Sequence, residues 1–226
     1  MALSDHLNGL LRRLSPESAE AVMREMSRVH LPLGFEIHRP GEPMDALYFM
    51  ESGITSLVHV VDGEQAEVGM IGREGAVGSS VALGIRQSPH RAQVQIPGFG
   101  LRIEAAAFLD LVERFPALGE VVRHSLLVLL LQVSETAYCN ARAFADRRLA
   151  RWLLMCHDRA DGPNIPLTHE YLATMLGTGR GAVTLSMHRL EGDNLIKATR
   201  GNVRILDRNG LLGLAGGIYT PAGSLN

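Results

Sequence analysis

The chain has 226 residues, 46% of them hydrophobic and 20% charged, with a formal net charge of −2. That is core material for one large soluble domain or two ordinary ones. Its two cysteines, Cys139 and Cys156, exclude a disulfide framework and a four-thiolate metal site. In their helical, partly apolar surroundings they read as buried thiols. The N-terminus has no basic segment leading into an apolar one, and the longest apolar run, Leu126 to Leu131, is six residues. Neither a signal peptide nor a membrane span is expected, which places the chain in the cytoplasm.

In chain order, residues 4–29 read as helical. Leu7, Leu10, Leu11 and Leu14 share one stripe, Pro16 starts a second helix, and Val22, Met23 and Met26 share another. From Leu31 to Glu104 the pattern becomes short extended runs punctuated by glycine: Phe35–His38, Ala46–Met50, Thr55–Val61, Glu67–Ile71, Ala92–Ile96 and Leu101–Ile103. Strands at this spacing predict an antiparallel jelly roll or barrel, and Asp62-Gly63 is its best hairpin signal. Residues 105–114 return to helix, and 116–141 form a long one. Val122, Leu126, Leu129, Val133 and Thr136 run along it at 4-3-4-3 spacing, a coiled-coil seam, while Leu127, Leu130 and Leu131 add apolar surface on other sides. A second copy of the helix is the economical cover for that seam; the alternative is a helix wholly buried within a monomer.

Residues 142–147 look like a joint, after which Leu149, Trp152, Leu153 and Cys156 form the inner stripe of another helix. Asp161-Gly-Pro-Asn reads as a loop, and the tail from Gly216 as small, polar and loose. The organisation expected is therefore α+β in three parts: 1–115, 116–141 and 142–226.

The region Pro166 to Asp207 reads as a helix-turn-helix followed by a β wing. Thr168 can cap a first helix, with Glu170 in its first turn and Leu172, Met175 and Leu176 at helical spacing. Gly177 suits the turn, and Thr178 can cap the next helix. That second helix buries Ala182, Val183, Met187 and Leu190 and presents Arg180, Thr184, Leu185 and His188. Ala173 lies four residues before Gly177 and Val183 six after it, the small residue and aliphatic plug that a steep crossing needs. Two strand-like runs about a turn at Gly201-Asn202 then carry Lys197, Arg200 and Arg204, a wing suited to phosphate. The residues expected at DNA are Thr178, Gly179, Arg180, Gly181, Thr184, Leu185, His188, Lys197, Arg200 and Arg204. Charge agrees in sign: residues 142–226 carry +4 and residues 1–141 carry −6.

This order of barrel, long helix and winged helix-turn-helix resembles the Crp/Fnr family of bacterial transcription regulators across nearly the whole chain. The likeness is carried by Gly41-Glu42-Pro43, Ala46–Phe49 and Gly53, by Arg148–Leu154, and most specifically by Leu172–Ile196. The resemblance implies a homodimer whose barrels sense a signal, whose long helices relay it, and whose recognition helices enter successive major grooves. It implies double-stranded DNA as partner, a pseudo-palindromic operator with half-sites about 34 Å apart, and RNA polymerase as a further partner.

The departures are informative. Cyclic-AMP-binding relatives hold a Gly-Glu pair for the ribose and an Arg-Ser/Thr-Ala pocket for the phosphate. Here the corresponding residues are Gly78-Ser79-Ser80 and His90-Arg91-Ala92. The carboxylate is missing and the Arg91-Ala92 step lacks its hydroxyl, although Arg91 could still meet an anion through a forked pair. An unpaired ribose hydroxyl would cost about 1–3 kcal/mol, which argues against cyclic AMP. No cofactor is required by this reading and the effector is left unknown. There is no N-terminal cysteine cluster for iron–sulfur, whereas His30, His38, His59 and His90 leave haem open. The recognition helix offers Arg180-Gly181 and then Thr184-Leu185 in place of Arg-Glu and a second Arg, so a different operator is expected, with Arg180 on a guanine edge. Arg189, nearer the back, is expected to meet phosphate or an acid.

Two other functions compete. One is a nucleotide-binding module acting through protein contacts. The other is a small-barrel metalloenzyme, but His38 has no His-x-His partner, Glu42 and Glu51 have no histidine beside them, and no catalytic or metal-ligating motif is found.

Overall fold

Pro16 occupies the first helical position, and Ser15 accepts a hydrogen bond from the Ser18 amide at 3.3 Å, so helix α1 (Pro16–Arg24) starts where expected. It does not run on to residue 29. Ser27–Leu31 is strand β1, correcting the helical expectation. Only Leu31 of that strand is buried, so no apolar alternation marked it in the sequence. The computed structural model describes residues 8–167 and 169–222. Leu7 and Thr168, assigned to a stripe and to a cap above, lie outside them. Leu10, Leu11 and Leu14 are buried about a single 3₁₀ turn, Leu11–Arg13.

The strands that follow are β2 (Glu36–His38), β3 (Ala46–Met50), β4 (Ile54–Val61), β5 (Glu64–Ile71), β6 (Ala76–Val77), β7 (Arg91–Ile96) and β8 (Gly98–Glu104). They form two four-stranded sheets, ordered β1-β8-β3-β6 and β2-β7-β4-β5, the jelly-roll arrangement. The turn joining β4 to β5 has Asp62 at φ 51° and Gly63 at φ 84°. Two successive positive φ values are what a two-residue hairpin turn requires, and Asp-Gly supplies them cheaply. Helices α2 (Ala105–Arg114) and α3 (Pro116–Arg142) follow. Phe49, Leu101, Phe108, Leu118 and Val122 are at the centre of the buried cluster of this part.

The chain divides into two compact units. One runs to Val58 and resumes over Gly69–Leu130; the other consists of His59–Val68 with the chain from Leu131 onward. The division falls inside α3. In the second unit α4 (Ala145–His157) is buried almost all round from Leu149 to Cys156. Its Trp152 Nε1 donates to Glu67 Oε1 at 2.8 Å. Strand β9 (Asn164–Pro166), helices α5 (His169–Met175) and α6 (Arg180–Gly192), strands β10 (Ile196–Thr199) and β11 (Asn202–Ile205), and helix α7 (Arg208–Ala215) complete it.

The segment after helix α7 corrects the expectation of a loose tail as far as residue 222. Asp207 caps α7 by accepting from the Gly210 amide at 3.0 Å, and Arg147 donates to the last carbonyls, Leu214 and Ala215. Beyond α7, Tyr219 Oη donates to Asp158 while Arg208 donates to both. Burial and the Asp158 carboxylate push the Tyr219 hydroxyl well above its usual range.

Candidate nucleic-acid interface

The turn between α5 and α6 is built by backbone geometry. The Thr178 amide donates to Ala173 O at 3.0 Å and the Gly177 amide to Thr174 O at 3.1 Å, with Gly177 at φ 54°. This paired closure is the Schellman arrangement, and it needs a residue that tolerates positive φ at Gly177. Leu172, Ala173, Met175 and Leu176 are buried beneath it, and Arg148 donates to the Leu176 carbonyl. Because Thr178 is drawn into closing α5, it does not cap α6. The N-cap is Gly179, with no side-chain hydrogen bond, which corrects the cap expected at Thr178.

Helix α6 buries Val183, Ser186, Met187 and Leu190. Arg180, Gly181, Leu185, His188 and Arg189 are exposed, and Thr184 and Ala182 are half-buried. Residues 180, 184, 185 and 188 therefore share one outward face, as their spacing implied. Arg189 meets Asp146 at 3.6 Å, an acid as expected.

The wing is held against the recognition helix by Glu191, whose Oε1 accepts from the Ala198 amide at 2.8 Å. Strands β10 and β11 pair with Ile196 opposite Ile205 and Lys197 opposite Arg204, and β9 adds a third strand through Ile165 opposite Val203. The turn centres on Arg200-Gly201, Gly201 having φ 75°, one residue earlier than expected. Ile196, Val203 and Ile205 face inward, while Lys197, Arg200 and Arg204 are exposed.

Partnering separates the cations of this unit. Arg147 and Arg148 are spent on carbonyls, Arg151 on Glu135, Arg189 on Asp146 and Arg208 on Asp158. The side chains of Lys197, Arg200 and Arg204 make no hydrogen bond or ion pair among the described residues. Lys197 and Arg204 directly oppose each other across the ladder, an arrangement of like charges that costs stability until an anion relieves it.

The expected effector residues have other employment. Gly78 precedes a short 3₁₀ helix (Ser79–Leu83). Ser79 is buried and donates to Ala76 O, and Ser80 Oγ lies 3.8 Å from Met44 Sδ. Ala92 is buried in β7, and His90 is half-buried. Arg91 Nε sits 3.2 Å from Glu36 Oε1, whose other oxygen holds Arg39 at 2.7 Å. The fork expected for an anion thus already has a carboxylate, a partner 55 positions away that sequence reading missed. His38 is buried, its Nε2 has no hydrogen-bond partner among the described residues, and burial lowers its pKa to about 4 against a smaller opposing pull from Asp45. His30 and His59 are exposed. No group of three or more metal-ligating side chains occurs among the described residues.

Along α3 the seam expected from spacing is turned partly inward. Val122 is fully buried in its own core, and Thr136 Oγ1 accepts from Arg151 at 3.2 Å and donates to Gln132 O. Leu126, Leu129 and Val133 are half-buried. The outermost apolar residues are instead Leu127, Leu130, Leu131 and Tyr138, of which Leu130 is 59% exposed. Val122 is therefore unavailable to a partner, because the hydrophobic stripe at that level completes the barrel's core. By length and composition alone α3 is also long and apolar enough to cross a membrane. The six-residue run understated it. Its two ends are nonetheless occupied by the folded chain: Leu118 and Val122 lie in the first core, and Cys139 is buried with Sγ toward Ile218 O.

Residues 28–115 match the family profile described as the cyclic nucleotide-binding domain, and residues 147–214 that of the Crp-like helix-turn-helix domain. The chain is 24% identical over 205 residues to the cyclic AMP receptor protein of Thermus thermophilus, covering 87% of this chain and 91% of that one. Among solved structures its fold is similar to FixK2 from Bradyrhizobium japonicum, at TM-score 0.72, 14% identity, and 84% and 98% coverage of this chain and that one. It is also similar to the c-di-GMP-responsive regulator CLP of Xanthomonas campestris, at TM-score 0.68, 20% identity, and 84% and 99% coverage. With an effector-type jelly roll, a Crp-like reading head and this pattern of relatives, the chain belongs to the Crp/Fnr family, whose members are transcription regulators and not enzymes.

Proposed function

We propose that the protein is a homodimeric, sequence-specific DNA-binding regulator that places two copies of α6 in successive major grooves of a pseudo-palindromic operator. The observation that carries this reading is the contrast among cations. Among the described residues the wing keeps Lys197, Arg200 and Arg204 without partners, two of them in direct opposition, while neighbouring arginines are internally satisfied. Wing cations position the head on phosphates, and the outward face of α6, led by Arg180, reads base edges. The exposed leucines of α3 supply the surface that a second copy covers. We assign the effector to a class other than cyclic AMP. Ser79, standing where a glutamate would follow Gly78, is spent on a carbonyl, and Arg91 is paired with Glu36. RNA polymerase as a partner and a cytoplasmic location follow from the family likeness.

Gel shift of the full chain against sheared genomic DNA tests the reading, with native mass spectrometry of the same preparation reporting stoichiometry and any retained small molecule. Retarded fragments and a dimer mass are expected. A monomer indifferent to duplexes at low salt would overturn the proposal.

A further inference from the structure

Leu185 is the one large aliphatic side chain on the outward face of α6, 55% exposed and on the same side as Arg180, Thr184 and His188. It is not part of the packing that seats the helix, which falls to Val183, Met187 and Leu190. With Phe144, Ala182 and the Asp146–Arg189 pair it lines a surface groove. In a major groove such a side chain has one favourable counterpart. Guanine, adenine and cytosine present donors and acceptors that a leucine would strand, whereas the C5-methyl of thymine presents a hydrocarbon surface.

Resting on the DNA-binding reading above, we propose that Leu185 recognises a pyrimidine 5-methyl group, so that each half-site contains a thymine whose methyl is a specificity determinant. The same contact accepts 5-methylcytosine, which carries the methyl at the same place in the groove. Affinity for some sites then depends on DNA methylation.

The test uses the full-length protein and an operator obtained by selection from random duplexes. Each thymine is replaced in turn by deoxyuridine, which removes only the methyl. At one position per half-site the wild type should lose about fourfold in affinity, the worth of one buried methyl-sized group, and about 16-fold when both half-sites are changed. Leu185→Ala should be insensitive at that position, and 5-methylcytosine there should bind the wild type better than cytosine. Leu185→Gln should shift the selected base toward adenine. If an operator is selected and bound but no deoxyuridine position distinguishes wild type from Leu185→Ala, the methyl contact is refuted while DNA binding stands. If no duplex is enriched or retained at low salt, DNA binding is refuted and the contact with it.

Discussion

Neutralising the wing should change how binding depends on salt more than what is bound. Lys197 and Arg204 face each other across β10 and β11, exposed and without partners among the described residues. If each neutralises one phosphate, the double variant Lys197→Gln/Arg204→Gln removes two contacts per head and four per dimer. The slope of log affinity against log salt should then flatten by roughly 3.6, from about 0.9 per phosphate. Between 50 and 200 mM salt, a factor of four, the wild type should lose about 100-fold more affinity than the variant. Removing an opposed like-charge pair should leave the free protein as stable as before, or more stable by about 0.2–1 kcal/mol. Fluorescence anisotropy on a selected operator and a scrambled duplex, at four or five salt concentrations, reads the slope directly. Both duplexes should weaken alike. An unchanged slope, or a loss confined to the operator, would refute the phosphate role.

Other consequences are as direct. Arg180→Ala should weaken operator binding by about 1–3 kcal/mol and leave scrambled duplex nearly untouched, as judged by competition gel shift; equal losses on both would assign Arg180 to the backbone. Leu130, 59% exposed, should bury about 1–2 kcal/mol worth of surface in each copy of a dimer. Leu130→Glu should therefore raise the dimer dissociation constant roughly 30- to 1,000-fold in sedimentation equilibrium. For His38 the folded pKa of about 4 lies below the usual 6.5, so the unfolded chain binds the extra proton between those values. Stability should be complete above pH 6.5 and fall by about 2–4 kcal/mol as pH approaches 4. Urea melts across that range should show this loss in the wild type and a flatter profile in His38→Leu; equal profiles would mean that His38 charges freely in the folded state.

What could be read beforehand, and what could not, follows from the range of the interactions involved. The outward face of α6 and the Asp62-Gly63 hairpin were legible because each is set by neighbours within one turn. Strand β1 was hidden because four of its five residues are not buried; it exists by pairing with β8, some 70 positions on. Helix α7 was missed because Gly210 and Gly213 interrupt its apolar pattern. Yet Gly210 is where α7 meets Leu195 so closely that a Cβ would lie 2.3 Å from Leu195 Cδ2. Along α3 the apolar period was legible, but not that the barrel's core would claim Val122 from that stripe, since periodicity says nothing of what covers it. At the effector loop, the absence of a glutamate after Gly78 was plain from the sequence. The capture of Arg91 by Glu36 is a tertiary pairing that no local pattern announces.

The clasp that follows α7 sets where the reading head may be cut. The stretch shared with Crp-like relatives stops at residue 214, but Arg147 reaches Ala215, Ile218 lies over Cys139, and Tyr219 bridges Asp158 and Arg208. The Ala222 amide adds a last bond to the same aspartate. An excised head trimmed to the shared stretch would keep the Asp158–Arg208 pair but lose the Tyr219 hydroxyl and the Ala222 amide that also bond it. Any fusion or affinity handle belongs beyond Ala222.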